Sequence, residues 1–176
     1  QPHIGMWNLV QLANAIVPMV DEVEPLQAGI DLYGEIFGNE YSSMMAQKLG
    51  LKSHIPETDE PLLKELQRVL LLAETDYIIF FRKLANLPVS DSEMNRTDDE
   101  WIAPVFDAFY LPKQLELGIK PEIASWLKAY AARVQADGTP DAERKAAMNT
   151  VNPKYVLRNY RSEERRVGKE CRSRWS

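Results

Sequence analysis

Few side chains in this 176-residue chain have the type and spacing to carry chemistry, and each can be weighed singly. His3 and His54 could ligate a metal or relay a proton. They stand far apart, and neither belongs to an HExxH or CxxC-type arrangement, so no metal site is expected. Asp21-Glu22-Val23-Glu24 and Asp98-Asp99-Glu100 offer clustered carboxylates for general acid–base work. Both runs precede expected helix starts, where acids favour the positive end of the dipole, and that solvated reading is preferred. Gly29, Gly34 and Gly38 are scattered along a helical stretch and build no phosphate loop. Gly34 and Gly38 read instead as close helix packing. No Ser-His-Asp set can be assembled. Lys154 and Arg158, four residues apart, would share one face of a helix begun by Asn152-Pro153 and could reach a carboxylate or phosphate. A salt-bridged or solvated face is the preferred reading. Met44-Met45 and Phe80-Phe81 read as core. The residues therefore assign no catalytic, cofactor-binding or metal-ligating position.

Cys171, the single cysteine, lies in a stretch unlike the rest. From Arg161 the chain reads RSEERRVGKECRSRWS, without apolar period, and Arg-Ser-Glu-Glu-Arg-Arg back-translates naturally to the start of a common sequencing-library adapter. Residues 161–176 are thus expected to be a translated artefact, disordered and non-native; the competing reading is a basic tail for nucleic acid or anionic membrane. The tail holds Arg161, Arg165, Arg166, Lys169, Arg172 and Arg174 against Glu163, Glu164 and Glu170. Residues 1–160 consequently carry net −8, against −5 for the whole chain. An acidic body without a basic stripe argues against binding nucleic acid. No apolar run approaches the roughly 20 residues of a membrane span, and no signal peptide opens the chain. The abrupt opening at Gln1 and the change at Arg161 lead to the expectation of a fragment.

The elements that must position these residues are helices. Trp7, Leu12, Ile16, Val17 and Val20 recur at helical steps until Pro18 ends or kinks the run. Pro25 suits the first turn of a helix carrying Leu26, Ile30, Tyr33, Phe37, Tyr41, Met44, Met45 and Leu49, with Gly50 as its C-terminal cap. Thr58, with Asp59, Glu60 and Pro61 behind it, marks a start for Leu62, Leu63, Leu66, Val69 and Leu70. Thr75-Asp76 recaps a helix through Phe80, Phe81 and Leu84. Residues 87–97 read as loop, Asp98 opens a helix with Trp101, Val105, Phe106 and Phe109, and Pro121 opens one running to Asp137-Gly138. Asp141 to Met148 is a short helix, and Pro153 is expected to start a last one. No alternating strand of useful length appears, so the expected fold class is all-α, without a repeat of fixed period.

Several blocks resemble the selenoprotein O family of pseudokinase-like protein adenylyltransferases. They are Gln1-Pro2-His3-Ile4-Gly5-Met6-Trp7-Asn8-Leu9 with Leu12-Ala13, Met45 to Leu51, and Asp76-Tyr77 with Phe80 to Leu84. Trp126-Leu127 with Tyr130 and Arg133, and the distinctive Met148 to Tyr160, complete the set. The resemblance covers residues 1–160 and implies the helical C-terminal part of a protein-kinase-like fold, from a bacterial cytoplasmic member or a mitochondrial eukaryotic one. It implies that the parent transfers AMP from ATP to Ser, Thr or Tyr hydroxyls of other proteins, using ATP bound in inverted orientation with Mg or Mn. The residues handling ATP and metal would lie upstream of Gln1, so this piece alone is expected to be inactive. Its implied partners are the missing N-terminal catalytic lobe and, through it, protein substrates, with neither nucleic acid nor membrane. Helices cut from such a core should expose an apolar face, expected around Trp7, Leu12 and Tyr155/Val156. The alternative is a stand-alone acidic helical interaction module.

Overall fold

The computed structural model describes residues 2–89 and 96–156. In chain order it runs α1 (Pro2–Ile16), α2 (Glu24–Leu49), α3 (Pro56–Leu70), α4 (Tyr77–Leu84) and α5 (Asp98–Ile102). There follow a 3-10 stretch (Ala103–Ala108), α6 (Pro112–Gln114), a π-helical turn (Leu115–Ile119), α7 (Lys120–Asp137) and α8 (Asp141–Val151). Among the described residues there is no strand; one antiparallel bridge pairs Thr75 with Phe109. The fold is all-α, as the apolar spacing predicts.

The core is organised around α7. Ile123, Ala124, Leu127, Tyr130 and Val134 are wholly enclosed, with Trp126 beside them. Those positions recur every three or four residues on both sides of the helix because α3 and α5 pack against it from different directions. From α3 come Leu62, Leu63, Leu66, Val69 and Leu70. Trp126 stacks on Tyr130 at 5.4 Å between ring centres and lies 6.0 Å from Phe80. Its indole Nε1–H donates to the Leu62 carbonyl at 3.0 Å, so burying the ring leaves no donor unpaired.

Helix boundaries follow local chemistry, with informative departures. Gly50 at φ +68° and Gly138 at φ +64° end α2 and α7 in the left-handed conformation that a side chain disfavours. Asp76 caps α4, accepting from the Ile78 and Ile79 amides at 2.9 and 3.1 Å. α3 begins at Pro56 rather than at Thr58, which leaves Pro61 inside the helix. The capping oxygen comes from within: the Asp59 carboxylate accepts the Ile55 N–H at 2.8 Å. α5 starts where expected, but its cap is Thr97, in a reciprocal capping box with Glu100. It converts after one turn to the 3-10 stretch carrying Pro104, leaving Phe106 exposed while Val105 and Phe109 are buried. Of the methionine pair, Met45 is core and Met44 is 42% exposed, because helical geometry turns adjacent residues 100° apart. Phe80 and Phe81 are both buried.

The expected last helix is not found. Residues 153–156 are not helical, and residues 157–160, with Arg158, lie outside the described residues. Asn152 instead ends α8, its backbone N–H donating to Met148 O at 2.9 Å. The shared Lys154–Arg158 helix face is thereby corrected: Lys154 sits at a bend beyond the end of α8. Residues 161–176 also lie outside the described residues.

Candidate functional site

The residues that composition singled out fall apart in space or into structural roles. His3 is exposed on α1, and His54 sits half-buried in the α2–α3 loop. Asp98 and Asp99 bind Lys128 at 2.9 Å and Lys120 at 2.7 Å, while Glu100 closes the capping box. Asp21, Glu22 and Glu24 are exposed ahead of and within the first turn of α2. Between α1 and α2 the tightest approach is at Gly5, where a Cβ would meet the Tyr33 hydroxyl at 2.5 Å. Gly34 faces Met6 at 3.2 Å, and Gly38 faces open space. Among the described residues no group of three or more His, Cys, Asp or Glu is arranged to hold a metal ion.

Two polar constellations that the sequence did not announce hold the helices together. The first joins α2, α4, α7 and α8. The last four carbonyls of a helix lack intrahelical donors, and in α2 all four are met. Ala46 O and Gln47 O accept from the Gly50 amide, and Ala46 O also from that of Leu51. Lys48 O accepts from Asn152 Nδ2 at 2.9 Å, and Leu49 O from the Tyr130 hydroxyl at 2.8 Å. Arg82 from α4 closes the end of α8 by donating to the carbonyls of Asn149 and Asn152 at 3.0 and 2.9 Å. Arg144, 1% exposed, donates to the Tyr130 oxygen at 3.0 Å, Leu87 O at 2.5 Å and Asp141 at 3.1 Å. Burial pushes the Tyr130 phenol up to about 12, although the neighbouring Arg144 charge opposes it.

The second constellation pins the α2–α3 loop to α7. Arg133 donates to Asp59 at 2.6 Å, to Asp137 at 2.6 Å and to Ser53 O at 3.1 Å, and Asp137 accepts the Lys52 amide at 2.9 Å. Burial works to raise the Asp59 carboxyl. The hydrogen bonds from Arg133, Ile55 and Thr58, with the Arg133 charge, outweigh it and hold the group below its ordinary value. These cations are committed to carbonyls and carboxylates of the fold. A triphosphate with its metal needs several convergent, uncommitted cations, which Arg82, Arg133 and Arg144 are not.

What remains open is apolar surface. Ile4 and Trp7 are each 61% exposed and Leu12 58%, and Tyr155 and Val156 are exposed too, where the sequence leads one to expect an apolar face. The Tyr33–Phe37–Tyr41 ring ladder runs along α2 at 5.9 and 6.2 Å spacings. Among the described residues no helix is long and apolar enough to cross a membrane.

A family model described as protein adenylyltransferase SelO matches residues 1–168. The chain belongs to the SelO family. A protein nucleotidyltransferase YdiU of Rhodopirellula baltica is 46% identical over 167 residues, which is 91% of this chain but 31% of the relative. Its counterpart in Aromatoleum aromaticum is 44% identical over 164 residues, 93% of this chain and 29% of the relative. A Flavobacterium johnsoniae relative of the same description is 39% identical over 160 residues, covering 91% and 30%. This SelO-family chain therefore spans about a third of the length of the curated relatives it matches. The family match continues past Tyr160 to Gly168. The burial of Arg144 escaped the sequence, since nothing in Asp141 to Val151 distinguishes a buried arginine from a solvated one, and Asp59 and Asn152 were read only as local helix-start residues.

Proposed function

We propose that this chain is the helical C-terminal part of a protein nucleotidyltransferase that moves AMP from ATP to Ser, Thr or Tyr hydroxyls of target proteins. The observation that carries this reading is the family match over residues 1–168 together with 46% identity to a nucleotidyltransferase. ATP and a divalent metal belong to the remaining polypeptide, which we take to have a protein-kinase-like lobe. The described residues supply rigidity instead. The Lys48–Asn152–Arg82 and Leu49–Tyr130–Arg144 contacts lock α2, α4, α7 and α8 into one block on which a catalytic lobe can be held at fixed geometry.

The test is a hybrid in which residues 1–156 replace the matching segment of the Rhodopirellula baltica relative, assayed with α-phosphate-labelled ATP and an acceptor protein. Label should pass to protein with the hybrid and not with the 176-residue chain alone. A folded hybrid that transfers no label while the parental relative does would overturn the proposal.

A further inference from the structure

We infer that α1 and the N-terminal half of α2 are the docking face for the remaining polypeptide of the whole protein. The surface that seats on them is apolar at its centre and edged with Lys or Arg. The inference rests on the reading above for the identity of its occupant, but its geometry comes from the hairpin itself.

Among the described residues no hydrophobic side chain before Met45 is buried, although this stretch is rich in large apolar side chains. On α1, Gly5, Met6, Leu9, Val10, Ala13 and Ile16 are half-buried, at helical spacing, where α2 packs. The opposite side carries Ile4, Trp7 and Leu12, all more than half exposed, with Asn8, Gln11 and Asn14 between them. α2 adds Leu32 and Ile36, four apart on one face and 54% and 51% exposed. A helix in water normally sets charge against its apolar stripe, yet α1 has no Asp, Glu, Lys or Arg in fifteen residues. Large apolar side chains left to water on both helices mark a contact.

Charge decides between occupants. Residues 1–47 contain Asp21, Glu22, Glu24, Asp31, Glu35 and Glu40 and neither Lys nor Arg. A second copy would present the same patch to itself across a two-fold axis and set these six acids against six more. A partner with a basic rim meets no such cost. The relatives of which this chain spans 31% and 29% have about two-thirds of their polypeptide elsewhere, enough to supply that partner within one molecule.

Hydrogen exchange of the hybrid and of the 176-residue chain provides the test, with the double variant Trp7→Glu/Leu12→Glu and the control Leu71→Glu, which is 79% exposed away from the hairpin. Exchange of α1 amides should be at least tenfold slower in the hybrid than in the chain. The double variant should abolish that difference, Leu71→Glu should not, and raising ionic strength should reduce it. In the chain alone the double variant should leave exchange unchanged. Equal exchange in hybrid and chain overturns the inference. So does protection of the chain alone that grows with its concentration, which would name a second copy as occupant. Label transfer reads out separately: an active hybrid with unprotected α1 sinks the docking face and leaves the proposed function standing. An inactive hybrid with protected α1 does the reverse.

Discussion

Replacing Asn152 separates two roles that the same residue could have. Its side chain is 1% exposed; Nδ2 donates to Lys48 O at 2.9 Å and Oδ1 accepts from Lys48 Nζ at 3.3 Å. In Asn152→Ala the Lys48 carbonyl, an end-of-helix acceptor without an intrahelical donor, loses its partner in a closed environment, at about 1–3 kcal/mol. The half-exposed Lys48 ammonium loses a weaker contact, roughly 0.5 kcal/mol. The expected loss is about 2–3 kcal/mol, while the backbone bonds from Arg82 persist. Asn152→Asp is the sharper probe. A residue capping the start of a following helix accepts Asp as readily as Asn. Here Asp would turn a carboxylate oxygen toward Lys48 O with no proton between them, so it should cost at least as much as Ala. Urea unfolding followed through the buried Trp101 and Trp126 measures both variants, with midpoint shifts of roughly 1 M expected. An Asn152→Asp protein within about 0.5 kcal/mol of the parent would refute the tie to α2.

Four further outcomes follow from the geometry. Gly50→Ala forces a left-handed φ of +68° on a residue with a Cβ and drives that carbon to 2.8 Å from Arg144 Cγ and Met148 Cγ. Strain alone costs about 1–2 kcal/mol, so calorimetry should show a larger drop than for Gly138→Ala, where a Cβ meets nothing. Because the folded Asp59 carboxyl lies below its unfolded value, its stabilisation is complete above the unfolded pKa and is lost as pH falls through the folded one. Asp59→Asn should flatten the acid limb of the stability–pH curve below about pH 4 and, by leaving Arg133 without its main partner, cost about 3 kcal/mol at neutral pH. Tyr130 has the opposite sign: raised to about 12, its contribution is intact below the unfolded pKa and lost as pH rises from about 10 through 12. Tyr130→Phe, though less stable at pH 7, should show a shallower alkaline decline. Arg68→Ala, despite contacts of 2.6 Å to both Glu65 and Glu122, should leave the urea midpoint essentially unmoved, because all three side chains are nearly half exposed.

By itself the sequence determined the helical class, the caps at Gly50, Asp76 and Gly138, the core faces around Phe80 and Trp126, and the family. Those features are local or periodic: a glycine at a left-handed φ, an oxygen ahead of free amides, an apolar residue every third or fourth step. It also placed an uncovered apolar face at Trp7 and Leu12, because a helix without charge has little to show to water. Where α3 begins, which of Met44 and Met45 is inward, and that Asn152 closes one helix rather than opening the next were settled by tertiary structure. The buried polar groups depend on partners far along the chain: Arg133 for Asp59, α2 for Asn152, Leu87 O and Tyr130 for Arg144. A buried polar group is identified by the atom that satisfies it, and that atom is brought near only when the helices have packed.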